Sequence, residues 1–474
     1  MVITERPWLS LTKPSSSHKE QTSERAKRVT SVLFLVALFA GFAQFGAVTS
    51  LNDVAKHFGN VTSSASLKSA VGLSGSVLGL GLGLLRVASL ASLPLASLAD
   101  RFGRKKVLRR TMTIGLVATS LASLSPSYWF FVLCFAFARP LLSASSTIVQ
   151  VITVELSTTK SRINHIVIVS AGSGIGAGLS AVLHGVIRGP NSFRWLFALG
   201  ILPIFALVPF LKVVPESHER DQSHPTARLG AVTKSLRPRL LIVASIAFVV
   251  GVISGPANGF AFVYGEGILK LSPQFAAFIV TLSALTGLGG LLLSRVFAKK
   301  YGRRITVAVG VLATALTSTL AYSGGKMNFV LGYMLGVGAA GLMSPALTAM
   351  ATELFTHSFR ATAAGWILVA GVIGAVIGLG FFGLIGDAVH TTSALSLRLP
   401  AILTFIPLLP VLFLLRKLPE SSEMELIYVQ LPQQVHDGHC HRYSRHRQVF
   451  SRGHGRECDQ SASVEFELDR FVHV

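Results

Sequence analysis

Charge is what this chain has little of. Only 14% of its 474 residues are Asp, Glu, Lys or Arg, where a water-soluble globular domain carries about 25%. Acids are the scarcer sign, 21 against 43 bases, and none occurs between Glu155 and Glu216. A chain so poor in charge cannot clothe a globule in solvated side chains, so an ordinary soluble domain is excluded. Cysteine is equally sparse. Cys134, Cys440 and Cys458 are the whole supply, and three thiols make no disulfide framework. The sequence also lacks paired carboxylates set for acid–base work, a nucleophile–base spacing and a G-x-x-x-x-G-K-[ST] phosphate loop. Neither an enzyme nor an ATP-driven pump is expected, and no cofactor or resident metal.

Apolar residues take the place of charge. They make up 51% of the chain, the mean hydropathy is +0.59, and they fall in runs of roughly 20, enough to cross a bilayer as a helix. Lipid offers no partner to backbone N–H and C=O groups, so each run must close its own hydrogen bonds. Twelve such spans fit between residues 30 and 416. The first is too long for a signal-peptide core and reads as an uncleaved span.

The net charge of +22 would suit nucleic acid if it were clustered on one surface, but it alternates with the spans. With twelve crossings, roughly 34 Lys and Arg fall on the side of the two chain ends and roughly 7 on the other. That asymmetry is the positive-inside pattern and puts both termini in the cytoplasm. It leaves nucleic acid without a part, and makes the lipid bilayer the chain's principal surroundings. The expected divisions are a basic cytoplasmic segment over 1–29, six helices over 30–213, a cytoplasmic linker over 214–239, six helices over 240–420, and a disordered His- and Arg-rich cytoplasmic tail over 421–474. A metal site at His436, His439, Cys440 and His441 of that tail is set aside in favour of a solvated segment.

The two halves repeat one another. Asp100-Arg-Phe-Gly-Arg-Lys-Lys106 follows the second span and Lys299-Lys-Tyr-Gly-Arg-Arg304 the eighth. Glu155 and Arg162 follow the fourth, Glu353 and Arg360 the tenth. Pro215-Glu-Ser217 closes the sixth and Pro419-Glu-Ser421 the twelfth. All three matches share an offset of roughly 200 residues, the plan of secondary transporters with a midplane site between repeats.

On these residues the chain resembles the major facilitator superfamily, over residues 30–420. The Asp-Arg-x-Gly-Arg-Lys loop is similar to that family's signature, although Ala96 stands where glycine is usual and Lys299 where the second copy often has an acid. The resemblance implies an all-α integral membrane fold of twelve transmembrane helices in two pseudo-symmetric six-helix halves. It implies a monomeric transporter in the plasma membrane (the inner membrane of a Gram-negative cell) that works by alternating access. It also implies a cytoplasmic latch. Asp100 would meet the N-terminus of the eleventh span, where the helix dipole favours an anion by about 0.3–1 kcal/mol. Arg101, Gly103, Arg104, Glu155 and Arg162 would complete it, with Gly302, Arg303, Glu353 and Arg360 as the second-half counterparts. Lys299 would repel the fifth span, making the latch asymmetric.

Two arginines lie inside spans. Arg86 is about 21 Å from the inner loop and Arg139 about 24 Å from the inner end of its span at 1.5 Å per residue. An arginine at that depth costs at least about 2.5–3.5 kcal/mol, so it faces a cavity or a partner. The central part of every first-half span lacks an acid to serve as partner. Unpaired guanidinium groups in a cavity favour an anionic substrate such as a carboxylate, which the planar fork grips with two bonds. Packing or a bond to backbone carbonyls is the alternative for both. Gln44, Asn258, Tyr264, Ser344 and Trp366 are further candidate substrate contacts, each competing with a plain interhelical hydrogen bond. The expected function is transport of a small organic solute, preferably an organic anion. Efflux of amphipathic compounds and a non-transporting sensor or scaffold are the alternatives. Proton coupling, as in a symporter, stays open: the first span has no acid at Gly41–Gly46, and Glu266 and Asp387 fall near outer span ends, where solvated positions are expected. The glycines Gly172, Gly174, Gly176 and Gly178, together with Ala177, imitate a dinucleotide fingerprint but sit inside a span, so close helix packing is expected of them, as of Gly75, Gly79 and Gly83 and of Gly374 and Gly378.

Overall fold

The computed structural model describes residues 16–61, 67–155, 162–187, 191–214, 236–355, 360–389, 397–406 and 409–418. Most of the 1–29 segment's side chains, nearly all of the 214–239 linker and the whole 421–474 tail lie outside the described residues. Among the described residues every regular element is helical. Ten helical segments are long and apolar enough to cross a membrane. They are Arg28–Thr49, Gly75–Phe102, Tyr128–Glu155, His165–Val186, Arg237–Gly259, Pro273–Tyr301, Arg303–Ala321, Lys326–Ala351, Thr362–Ala388 and Arg398–Lys417. Two more helical segments complete twelve. Arg104–Leu121 is shortened in hydropathy by its basic first turns, and the sixth span is broken into Ser192–Leu199 and Leu202–Leu211. The segments are called spans 1 to 12 in chain order.

Packing repeats between the halves. Span 1 lies along span 5 and span 7 along span 11; span 3 pairs with span 4 and span 9 with span 10; span 2 meets span 4 and span 8 meets span 10. The halves join by the same exchange, span 2 against span 11 and span 5 against span 8. The tight reversals after spans 2 and 8 turn on Gly103 (φ +92°) and Gly302 (φ +83°), a conformation that L side chains rarely adopt. Just beyond them, Lys105 donates to the Lys212 carbonyl at 3.4 Å and Arg304 to the Leu418 carbonyl at 2.8 Å. These bases meet chain at the ends of spans 6 and 12, where helix carbonyls run out of partners.

Helix pairs approach through glycine. A Cβ on Gly172 would press on the Phe34 carbonyl at 2.6 Å, and one on Gly176 would collide with that of Leu38. In the second half a Cβ on Gly374 or Gly378 would strike the Phe248 or Val252 carbonyl. The close packing expected of Gly174 and Gly178 is not found, Gly178 facing span 8, whereas Gly172 and Gly176 form the seam between spans 1 and 5. In lipid this close approach substitutes for the hydrophobic drive that packs helices in water. Gly174, one position off the seam, has nothing within 4 Å of its absent Cβ.

The end of the bundle that carries Arg101, Arg104, Arg303, Arg304 and Lys417 is the basic end, and the other the far end. Contact between the halves fades from the far end inward. A Cβ on Gly383 or Gly79 would strike backbone across the span 2–span 11 crossing, while at Gly83 the nearest atom is 3.5 Å away. Along spans 5 and 8 the same distance is 3.1 Å at Gly185, 3.9 Å at Gly178, and beyond 4 Å at Gly174. Gly75–Ser89 packs on span 11, whereas Ser92–Phe102 packs on spans 3 and 4 of its own half. The halves are shut at the far end and parted toward the basic end.

Substitution separates the seam from its surroundings. Gly176→Val must force spans 1 and 5 apart or distort both, and overpacking of this kind costs about 1–3 kcal/mol. Its apparent melting temperature in detergent should fall by several degrees. Gly174→Ala should leave it unchanged or raise it slightly, since alanine is the better helix former.

Candidate functional site between the halves

Pro140 interrupts span 4 just after Arg139. Arg139 is turned toward span 1, where its Nη1 donates to the Gln44 carbonyl at 3.0 Å. The Gln44 side chain answers span 4. Its Oε1 accepts from the Ser143 hydroxyl at 3.3 Å and its Nε2 donates to the Ser146 hydroxyl at 3.4 Å. Arg139 Nε is buried with no hydrogen-bond partner. Arg86 on span 2 is near enough for the two guanidinium groups to repel one another. Among the described residues neither makes an ion pair, and the side chain of Arg86 makes no hydrogen bond. Two like charges with spare donors therefore share one region of the first half, and an amide and two hydroxyls lie beside Arg139.

The second half contributes a smaller feature. Asn258 donates to the Ser254 carbonyl one turn back at 2.9 Å. It lines a cavity of about 150 Å³ with Thr314, Ser318, Tyr322 and Tyr333. Tyr264 is fully buried, its ring 4.9 Å from Tyr322 and 5.8 Å from Phe329, so it is closed to a solute in this conformation. Trp366 is 42% exposed on span 11 and Ser344 is exposed on span 10. The geometry gathers Gln44, Arg86 and Arg139 in the first half and leaves Tyr264 and Trp366 outside that group.

The latch residues pair within each half. Arg104 binds Glu155, and Arg303 binds Glu353 in the same way. Asp100 is 67% exposed and reaches only Arg104, at 3.3 Å. Among the described residues it forms no bond to span 11. The reason is the parting of the halves at this end, which carries Asp100 away from the helix terminus it was expected to cap. In this parted arrangement the Arg–Glu pairs are alike in the two halves, and Lys299 makes no ion pair among the described residues. Arg101 is exposed, and Gly103 and Gly302 are the reversals described above. Arg162 and Arg360 open spans 5 and 11, and their side chains lie outside the described residues.

Both acids assigned to solvated far-end positions serve the contact between halves. Asp387 accepts from the backbone N–H of Gly75 at 2.6 Å and of Ser76 at 2.9 Å, capping span 2 from span 11. Glu266 is buried, and binds Asn52 and His184 across the join. Sequence pattern did not single out Asn52, Asp53 or His184. A histidine near a span end has no periodicity of its own, and its partner is 82 residues away.

A twelve-span helical bundle with repeated halves, joined at one end and polar at its centre, defines a secondary transporter rather than an enzyme. Residues 33–295 and 258–425 match the profile of the Major Facilitator Superfamily, and the chain belongs to that family. Among curated relatives, a probable sugar efflux transporter of Helicobacter pylori is 23% identical over 389 residues, covering 77% of this chain and 93% of its own. A gentisate transporter of Corynebacterium glutamicum is 26% identical over 312 residues, covering 61% and 68%. Among solved structures, an inward-facing, unoccupied bacterial homologue of the human lysosomal transporter Spinster superposes with a TM-score of 0.67 at 16% identity, over 85% of this chain and 98% of that one. A D-xylose-proton symporter superposes with a TM-score of 0.62 at 17% identity, over 83% and 98%.

The Asp387 cap is open to test. Asp387→Asn keeps the shape but removes the anion from the span 2 terminus, a loss of about 0.5–2 kcal/mol. A cysteine introduced at the exposed far-end position Val61 should become more reactive toward an impermeant thiol reagent in the Asp387→Asn background, with folding and expression retained.

Proposed function

We propose that the protein carries a small organic anion, with a monocyclic carboxylate as the leading class, by alternating access. The observation that carries this reading is the buried Nε of Arg139, left without a partner beside a second guanidinium. A carboxylate bridging Arg139 and Arg86 would neutralise the repulsion and fill the spare donors with charge-assisted bonds. Gln44, Ser143 and Ser146 are the neighbouring groups for ring hydroxyls, and Asn258 is the candidate contact from the second half. The likeness to a gentisate transporter supports the same class.

On the positive-inside rule the basic end is cytoplasmic, so this conformation is inward-facing, in a plasma or inner membrane. The Arg104–Glu155 and Arg303–Glu353 pairs then stand ready at the cytoplasmic end for the halves to close upon. Coupling to a proton in symport would make net transport inward, down the proton gradient. A second reading, sugar export, is favoured by the relatives that match 77% of the chain.

Thermal unfolding of the purified, detergent-solubilised protein decides between them. A ligand bound only by the folded state stabilises it by about 2.7 kcal/mol at a hundredfold excess over its dissociation constant. Hydroxybenzoates should raise the melting temperature of the wild type, do so weakly in Arg139→Lys, and fail to do so in Arg139→Gln. Stabilisation by monosaccharides alone, equal in wild type and Arg139→Gln, would overturn the anion reading in favour of the sugar one.

A further inference from the structure

At the far end, groups from four segments converge on one imidazole. His184, 1% exposed at the end of span 5, holds Nε2 3.1 and 3.3 Å from the two carboxylate oxygens of Glu266. Glu266 belongs to the π-helical turn Val263–Ile268 after span 7, and its side chain is 3% exposed. It also accepts from Asn52 Nδ2 at 3.2 Å. The other face of the ring looks the opposite way, with Nδ1 3.7 Å from Asp53, which Ser192 steadies by a 2.6 Å hydrogen bond. The edge of Phe262 closes the remaining side. Lys56, one turn beyond Asp53, completes the charges that bear on the imidazole, and Lys270 acts in turn on Lys56. Burial pushes the Lys56 amine below its ordinary range, and Asp53 opposes that. His57, the nearest other histidine, faces Arg194 and Phe193 instead.

Asn52, Asp53 and His184 belong to the first half and Glu266 to the second. The contact is thus a strap across the join, made where the halves are shut. Three residues here carry metal-ligand atoms within 4.8 Å of one another, but the orientation disfavours a cation. A metal takes one imidazole nitrogen and needs both carboxylates on that side, whereas Glu266 and Asp53 face opposite nitrogens. A group with an N–H at each end hydrogen-bonds Glu266 through Nε2 and turns its Nδ1, which has no hydrogen-bond partner, toward the Asp53 charge at 3.7 Å, and that group is imidazolium. A neutral ring can offer an N–H to only one of the two acids, and leaves its other nitrogen with a lone pair facing a carboxylate.

We infer that His184 and Glu266 form a proton-binding site, and that the bound proton ties the two halves together at the far end. When the halves part there, water reaches both side chains and the imidazole returns to its ordinary affinity, near pH 6.5. The closed far end therefore binds a proton more tightly than the open one. By linkage the tie is fully present below the open-state affinity and is lost as pH rises through the closed-state affinity. Between those two limits the ratio of closed to open far ends falls by up to tenfold per pH unit. This inference rests on alternating access and the orientation proposed above, but not on the substrate being an anion, so either can fail alone.

The test places spin labels at Val61→Cys and Met327→Cys, exposed on opposite halves at the far end. Cys134, Cys440 and Cys458 are replaced by serine, and distance distributions are recorded in nanodiscs from pH 5.5 to 8.5. The short-distance population should fall several-fold as pH rises. It should be flat with pH in His184→Gln and in Glu266→Gln, each of which keeps a neutral hydrogen-bonding side chain, and unaltered in His57→Gln. Gel filtration screens each variant for a folded monodisperse protein, and either of the first two suffices. A wild type that does not respond to pH would overturn the proposal, as would a response that survives both substitutions or vanishes with His57→Gln. Closure driven by added zinc at constant pH and reversed by EDTA, with no pH response in chelated buffer, would replace the proton with a metal ion.

Discussion

Helices in a bilayer gain little by hiding apolar surface from one another, because the lipid is as apolar as they are. What holds this bundle is closeness of approach, and glycine supplies it where spans cross. The seam of Gly172 and Gly176, on span 5 against span 1, has its counterpart in Gly374 and Gly378, on span 11 against span 7, and each half is built around such a pair. The same device joins the halves at Gly79 and Gly383, but only near one end. A join made at one end leaves the halves free to part at the other, which is the geometry that the proposed alternating access requires.

Polar groups are spent sparingly on this frame and sit where the frame leaves room. At the far end they reinforce a dry contact. Asp387 caps a helix across the join, and Glu266 meets His184 and Asn52. At the basic end they are held in reserve, with each arginine–glutamate pair kept inside its own half. In the middle they are left incomplete. Arg139 spends one donor on the Gln44 carbonyl and keeps Nε unpaired. A satisfied network would rigidify the core; the spare donor of Arg139 is the one on which the proposed anion site rests.

The helical spans and the repeat were legible in the chain because they rest on local signals. Apolar run length, alternation of basic loops and rise per residue do not depend on which helix touches which. The Gly-x-x-x-Gly seams were legible for the same reason, since spacing alone puts such residues on one face. Sequence reasoning fell short on Glu266, taken for a solvated acid because it lies past the end of span 7. The partner that buries it comes from another span, and nothing near residue 266 announces it. Asp100 was expected on span 11 because a motif carries one contact, whereas a transporter makes and breaks that contact as its halves move.

The sequence by itself thus determined the class of fold and the repeat in its helices, both consequences of what lipid tolerates in a single helix. Tertiary structure alone decided which end is shut, which acid meets which base, and that His184 stands between two carboxylates. Those features depend on side chains brought together across spans, and their energies come from burial and from distances of about 3 Å, which no local spacing encodes.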